Sequence, residues 1–159
     1  MFLSLLTAQQ VATLIDVRRF PGSRRHPQFG SDALAASLRA ADINYAHFVD
    51  LGGRRDPAPD SINTGWRLDA FRGYADYMET PKFQRGIISA LSLRSPLVFM
   101  CAEALWWRCH RSLISDYLTA GGIEVRHIND SGVTIHTGTT PAMITPGSLA
   151  YSPPQGDLF

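Results

Sequence analysis

Cys101 and Glu103 flank a single alanine directly after the most apolar run of the chain, Leu97-Val98-Phe99-Met100. A thiol in its thiolate form is a nucleophile. A carboxylate two residues away serves as a general acid or base, or as a nucleophile toward a sugar carbon. Asp16 ends a second apolar run, Leu14-Ile15, and Val17-Arg18 follows it. Arginine is crowded nearby: Arg18, Arg19, Arg24 and Arg25 fall within eight residues, and Arg54-Arg55 follows Gly52-Gly53. Of the 15 basic residues only Lys82 is a lysine. A guanidinium fork holds phosphate or carboxylate with two parallel hydrogen bonds. Asp16, Cys101 and Glu103 are therefore the candidate catalytic residues. Arg18, Arg24, Arg25, Arg54, Arg55 and Arg111 are the candidate anion binders.

Other reactive types read differently. Cys109 lies four residues from Leu105 and four from Leu113, a core stripe on a helix. Cys101, Cys109 and His110 do not have the spacing of a Cys-x-x-Cys knuckle and a fourth ligand is missing, so neither a metal nor another cofactor is expected. The separation of Cys101 from Arg108 exceeds the Cys-x5-Arg spacing of a phosphatase loop by one residue. Trp106 and Trp107 could stack on a base, although aromatic pairs in a helix more often pack in a core.

These side chains need a scaffold that gathers them. The pattern predicts a short helix over 3–10, a buried strand over 13–17 and a loop over 18–30 rich in Pro and Gly. Ser31 reads as the N-cap of a helix over 32–41, with Leu34 and Leu38 on its inner face. A strand over 43–48, a long loop over 51–65 and helices over 68–79 and 82–93 follow, the first with Phe71, Tyr74, Ala75 and Met78 on one face. The run 96–101 is predicted as the central parallel strand. A helix over 104–119 ending at Gly121-Gly122 follows, then a strand over 123–128, a turn at Asn129-Asp130-Ser131-Gly132 and a return strand over 133–136. Alternating strands and helices indicate a three-layer α/β domain with a mostly parallel sheet over residues 1–136. Ligands bind such sheets beyond the carboxyl ends of the strands. Asp16 to Arg18, His47 with the Gly52 to Arg55 turn, and Cys101 to Glu103 all fall at that edge. A helix starting right after Cys101 would favour its thiolate through the macrodipole.

The 159 residues suffice for one domain with a sizeable core. Apolar residues make up 45% and charged residues 18%, which excludes whole-chain disorder and a collagen-like repeat. No apolar run is long enough for a membrane helix, and the first residues lack the basic region of a signal peptide. Two cysteines form no disulfide framework, so a reducing cytoplasm is the expected compartment. A net charge of +1 argues against a protein that coats nucleic acid generally. From Thr137 the composition turns to Thr, Pro, Gly and Ser, and residues 137–159 read as an extended arm on which Leu149 and Tyr151 could pack back.

Several segments together resemble the domain of unknown function 488 family. They are Asp16-Val17-Arg18-Arg19-Phe20-Pro21-Gly22-Ser23-Arg24-Arg25-His26-Pro27-Gln28-Phe29, Leu51-Gly52-Gly53-Arg54-Arg55 and Phe71-Arg72-Gly73-Tyr74-Ala75-Asp76-Tyr77-Met78, followed by Met100-Cys101-Ala102-Glu103, Cys109-His110-Arg111 and Val125-Arg126-His127-Ile128. They run in the family's order across most of residues 2–151. The resemblance implies a Rossmann-like α/β domain and supplies no reaction. Family members usually open with one more strand bearing a Thr-Ile-Gly-His-Ser-like segment, so the expectation is either a misassigned start or a sheet that lacks that strand. The last residues, Gln155-Gly156-Asp157-Leu158-Phe159, are similar to the Gln-x-Ser/Asp-Leu-Phe peptide by which bacterial polymerases and repair proteins bind the sliding clamp. Gln155, Leu158 and Phe159 would make that contact, two apolar side chains in a pocket and an amide at its rim. The expected function is association with a nucleotide or with DNA in repair or replication, with hydrolysis or group transfer as the reaction class if there is one. Two alternatives stand beside it: a small-molecule enzyme using a Cys101 thiolate on an anionic substrate, and a non-catalytic binding module.

Overall fold

The computed structural model of the chain describes residues 1–151. Its elements in order are α1 (Phe2–Ala8), β1 (Thr13–Asp16), α2 (Ser31–Ala40), β2 (Asn44–His47), α3 (Asp69–Met78), α4 (Pro81–Leu91), β3 (Leu97–Met100), α5 (Arg111–Ala120), β4 (Arg126–Asn129), β5 (Gly132–Ile135), β6 (Met143–Thr145) and β7 (Ser148–Ala150). Single 3-10 turns occupy Pro27–Phe29, Val49–Leu51 and Trp106–Arg108. The described chain divides into two compact units, residues 1–52 with 81–102, and residues 53–80 with 103 onward.

The first unit carries an α/β fold. Its parallel sheet has the strand order β2-β1-β3 and is flanked by helices. Thr13 pairs with Asn44 and Leu97, and Asp16 with His47 and Met100, so the three strands end in one row. All four residues of β1 are buried, whereas Leu97, Val98 and Phe99 of β3 are half-buried. The central strand is therefore β1, not the more apolar β3 that the sequence pointed to. Its Leu14 and Ile15 are wholly covered because neighbours pair on both sides. Helix α2 turns Leu34 and Leu38 inward, at the predicted spacing. Its N-cap is Gly30 rather than Ser31, and no side chain caps it. Phe83, Ile87 and Ala90 form the buried stripe of α4.

In the second unit α5 packs against α3 and against the β6–β7 hairpin. Tyr74, Ala75 and Met78 of α3 and Leu113, Ile114 and Leu118 of α5 are buried, as their helical spacing requires. Gly122 sits just beyond α5 at φ +81°, the left-handed conformation its glycine signal implies. Strand β4 pairs only with β5 among the described residues, with Asn129 opposite Gly132, so the predicted hairpin forms as a separate two-stranded ribbon. Residues of the predicted arm are ordered into β6 and β7, and Tyr151 is buried.

Candidate functional site

The first unit places Asp16, Arg18 and Cys101 at the carboxyl ends of its strands. Asp16 ends β1 and is completely buried. Arg18 closes on it as a fork, Nε donating to Oδ1 at 2.8 Å and Nη2 to Oδ2 at 2.5 Å. The Arg18 amide also donates to Oδ1, and the Tyr45 hydroxyl to Oδ2 at 2.8 Å. The remaining guanidinium nitrogen, Nη1, donates to the Phe29 carbonyl, and His47 Nε2 donates to the Arg18 carbonyl at 2.7 Å. Hydrogen bonding to Asp16 raises the Arg18 pKa, and burial pushes the Tyr45 phenol up to about 12. Asp16 and Arg18 thus neutralise each other, a pair that fixes the start of the 18–30 loop. Arg24 and Arg25 stand exposed farther along it. Cys101 follows Met100 at the end of β3 and is half-buried.

Helix α5 opens at Arg111, well beyond the expected start at residue 104. The macrodipole therefore does not act on Cys101. Aromatic packing accounts for the late start: Trp106 lies flat on the His127 ring at 3.8 Å and 1°, which holds the chain in a 3-10 turn. Cys109 then runs extended before α5 begins, so it is buried off the helix rather than on its stripe.

The second unit holds Glu103, Arg54, Arg55 and Arg111. Gly53 lies against His110, where an added Cβ would meet the ring Nδ1 at 2.8 Å. The Gly-Arg-Arg turn thereby meets the N-terminal end of α5. Arg54 sits at φ +61°, a strained conformation for a side chain with a Cβ. The Arg55 guanidinium lies 3.7 Å from the centre of the Tyr77 ring. Arg111 Nη2 donates to the Glu103 carbonyl, so Glu103 is tied by its backbone while its side chain is exposed. His110 Nε2 and Arg111 Nε are buried without a hydrogen-bond partner in the structure. Cys109 Sγ lies 3.5 Å from His110 Nδ1.

A further cluster in this unit is missing from the sequence reading. Asp116 Oδ1 accepts from His136 Nε2 at 2.8 Å, and His136 Nδ1 lies 2.9 Å from His127 Nε2. Asp116 also accepts from the Thr139 amide and hydroxyl and from the Tyr151 hydroxyl. Burial, then electrostatic repulsion from the His136 and Arg111 side, pushes His127 down to about 4 against the pull of Asp116. Burial raises the Tyr151 phenol far above its usual range. One signal in the sequence points to it: the predicted hairpin puts His127 opposite Thr134, hence diagonal to His136 on one face. Gln155, Leu158 and Phe159 lie outside the described residues.

An α/β protein with a parallel sheet, a buried acid–arginine pair and an arginine-bearing turn at a helix end is the class this geometry defines. Within that class the chain belongs to the family described as Domain of unknown function DUF488, whose model matches residues 1–118. The match stops inside α5, short of the 2–151 that the resemblance spans. No curated protein and no solved structure matches the chain.

Proposed function

We propose that the protein binds a phosphate-bearing ligand, a nucleotide or a nucleic acid, at the Gly53-Arg54-Arg55 turn and the start of α5. The carrying observation is the pair of buried, unpartnered polar atoms there, His110 Nε2 and Arg111 Nε. Buried polar atoms seldom go unmatched without a functional reason; Arg111 Nε is a donor, and beside two further arginines the matching chemistry is an oxyanion. The strained backbone of Arg54 agrees with a residue held for function rather than stability. Glu103, whose carbonyl Arg111 holds, is the available acid or base for a reaction on such a ligand. Cys101 lacks the helix-end activation that the small-molecule alternative drew on, since α5 opens only at Arg111. Recruitment through Gln155, Leu158 and Phe159 to a sliding clamp would bring the site to DNA in replication or repair.

The test is titration of a short single-stranded oligonucleotide and of a nucleoside triphosphate at several salt concentrations. Arg54→Ala and Arg111→Ala should each weaken binding. Each should also reduce the salt slope by roughly 0.7 for every phosphate of a single strand that is no longer neutralised. Affinity that is unchanged in both variants, at unchanged stability, refutes the assignment.

A further inference from the structure

The Asp116, His136 and His127 chain is too ordered to serve only as ballast in the core. Three titratable groups from α5, β4 and the residue after β5 are joined end to end by hydrogen bonds of 2.8 and 2.9 Å. Asp116 and His136 are sealed, while His127 keeps 8% of its surface open. Asp116 Oδ1 also accepts from the Thr139 amide, so the proton in its bond to His136 sits on Nε2. With its other nitrogen bare, His136 accepts at Nδ1 and His127 donates to it from Nε2. That fixes the His127 tautomer and leaves its Nδ1 with a lone pair, as the outer atom of the chain. Trp106, flat against the ring, holds its plane.

We propose that Asp116, His136 and His127 form a proton relay whose acceptor is His127 Nδ1, and that it draws a proton from a water or a ligand hydroxyl. The transfer balances without any further reactant. The donor's proton forms a bond to His127 Nδ1. The His127 Nε2 proton passes to His136 Nδ1. His136 becomes the imidazolium and keeps its Nε2 proton in the bond to Asp116, whose carboxylate faces the new charge. Burial opposes a positive charge on His127 itself, and the relay moves that charge inward to the carboxylate. The charged and titratable groups facing the two histidines are Asp116 and Arg111 from α5, with Tyr151 after β7 bonded to Asp116. Of these, Arg111 resists a net positive charge, and Asp116 offsets it. His127 is the acceptor, with His136 and Asp116 as positioning residues. The relay stands on its own geometry, whether or not the arginines hold phosphate.

The intact chain tests this without any ligand. Nitrogen NMR of the histidine rings at neutral pH should show His127 protonated on Nε2 with a bare Nδ1, and His136 protonated on Nε2. Diethyl pyrocarbonate should carbethoxylate His127 in the folded protein, with exposed His26 as the reference. Asp116→Asn should lower the His127 rate relative to His26 and should mix the His127 tautomers. Should that variant fail to fold, the wild-type tautomers and the reagent decide alone. His127 protonated on Nδ1, His136 already an imidazolium, or a His127 inert to the reagent while His26 reacts would each overturn the relay and leave a structural network.

Discussion

Asp16 and Asp116 are both wholly buried carboxylates, and each is enclosed by its own donors. The difference lies in the donors: Asp16 is held by the Arg18 guanidinium, whereas Asp116 is held by His136, which in turn meets His127. His127 makes the consequence measurable. Its pKa falls from the ordinary 6.5 to about 4 on folding, so it contributes stability that is full above pH 6.5 and is lost as the pH drops through about 4. The span corresponds to about 3 kcal/mol. Urea unfolding between pH 7 and pH 4 should show that loss, and His127→Gln should flatten it. A variant as steep as the wild type would place the acid sensitivity elsewhere. At this scale residue types alone single out Asp16, Cys101 and the arginines as candidates. They do not reveal that Arg18 closes back on Asp16, because that depends on where the fold brings the Phe29 carbonyl and the Tyr45 hydroxyl.

Helices α2, α3 and α4 follow their apolar spacing, so their faces are legible from residue types alone. Strand order is not. The run Leu97 to Met100 is the more apolar, yet β1 holds the centre, since centrality depends on which strands pair and not on hydropathy. The start of α5 eludes the pattern for a similar reason: the Trp106 stack on His127 joins residues far apart in the chain. Helix α3 carries a close approach that also eludes composition. A Cβ on Gly73 would strike the backbone carbonyl of Arg55. Gly73→Ala should therefore destabilise by about 1–3 kcal/mol, the usual cost of overpacking a tight site, despite alanine's better helix propensity. Asp76 on the same helix holds the preceding loop through the Ala58 amide, the Ser61 hydroxyl and the Asn63 amide group. Burial pushes its pKa up, but those bonds and the Arg72 charge prevail and keep it below the usual carboxylate range. Equal denaturation midpoints for wild type and Gly73→Ala would refute the packing account.

At the scale of the molecule, +1 net charge makes general attraction to nucleic acid weak, so any DNA association must come from local arginines or from a partner. Under the recruitment proposal, a chain ending at Pro154 should lose micromolar binding to a bacterial sliding clamp. Equal binding by both chains would remove the recruitment proposal and leave the arginine site untouched. Strand β1 carries a further implication. Its partners are β2 nearby and β3 far along the chain, and the first unit resumes only at Pro81. During synthesis on a ribosome, Thr13–Asp16 emerges long before Leu97–Met100 can pair with it. For that interval one side of an apolar strand is an open template for other nascent chains. Fast overexpression should therefore demand chaperones more than the modest size of the chain suggests.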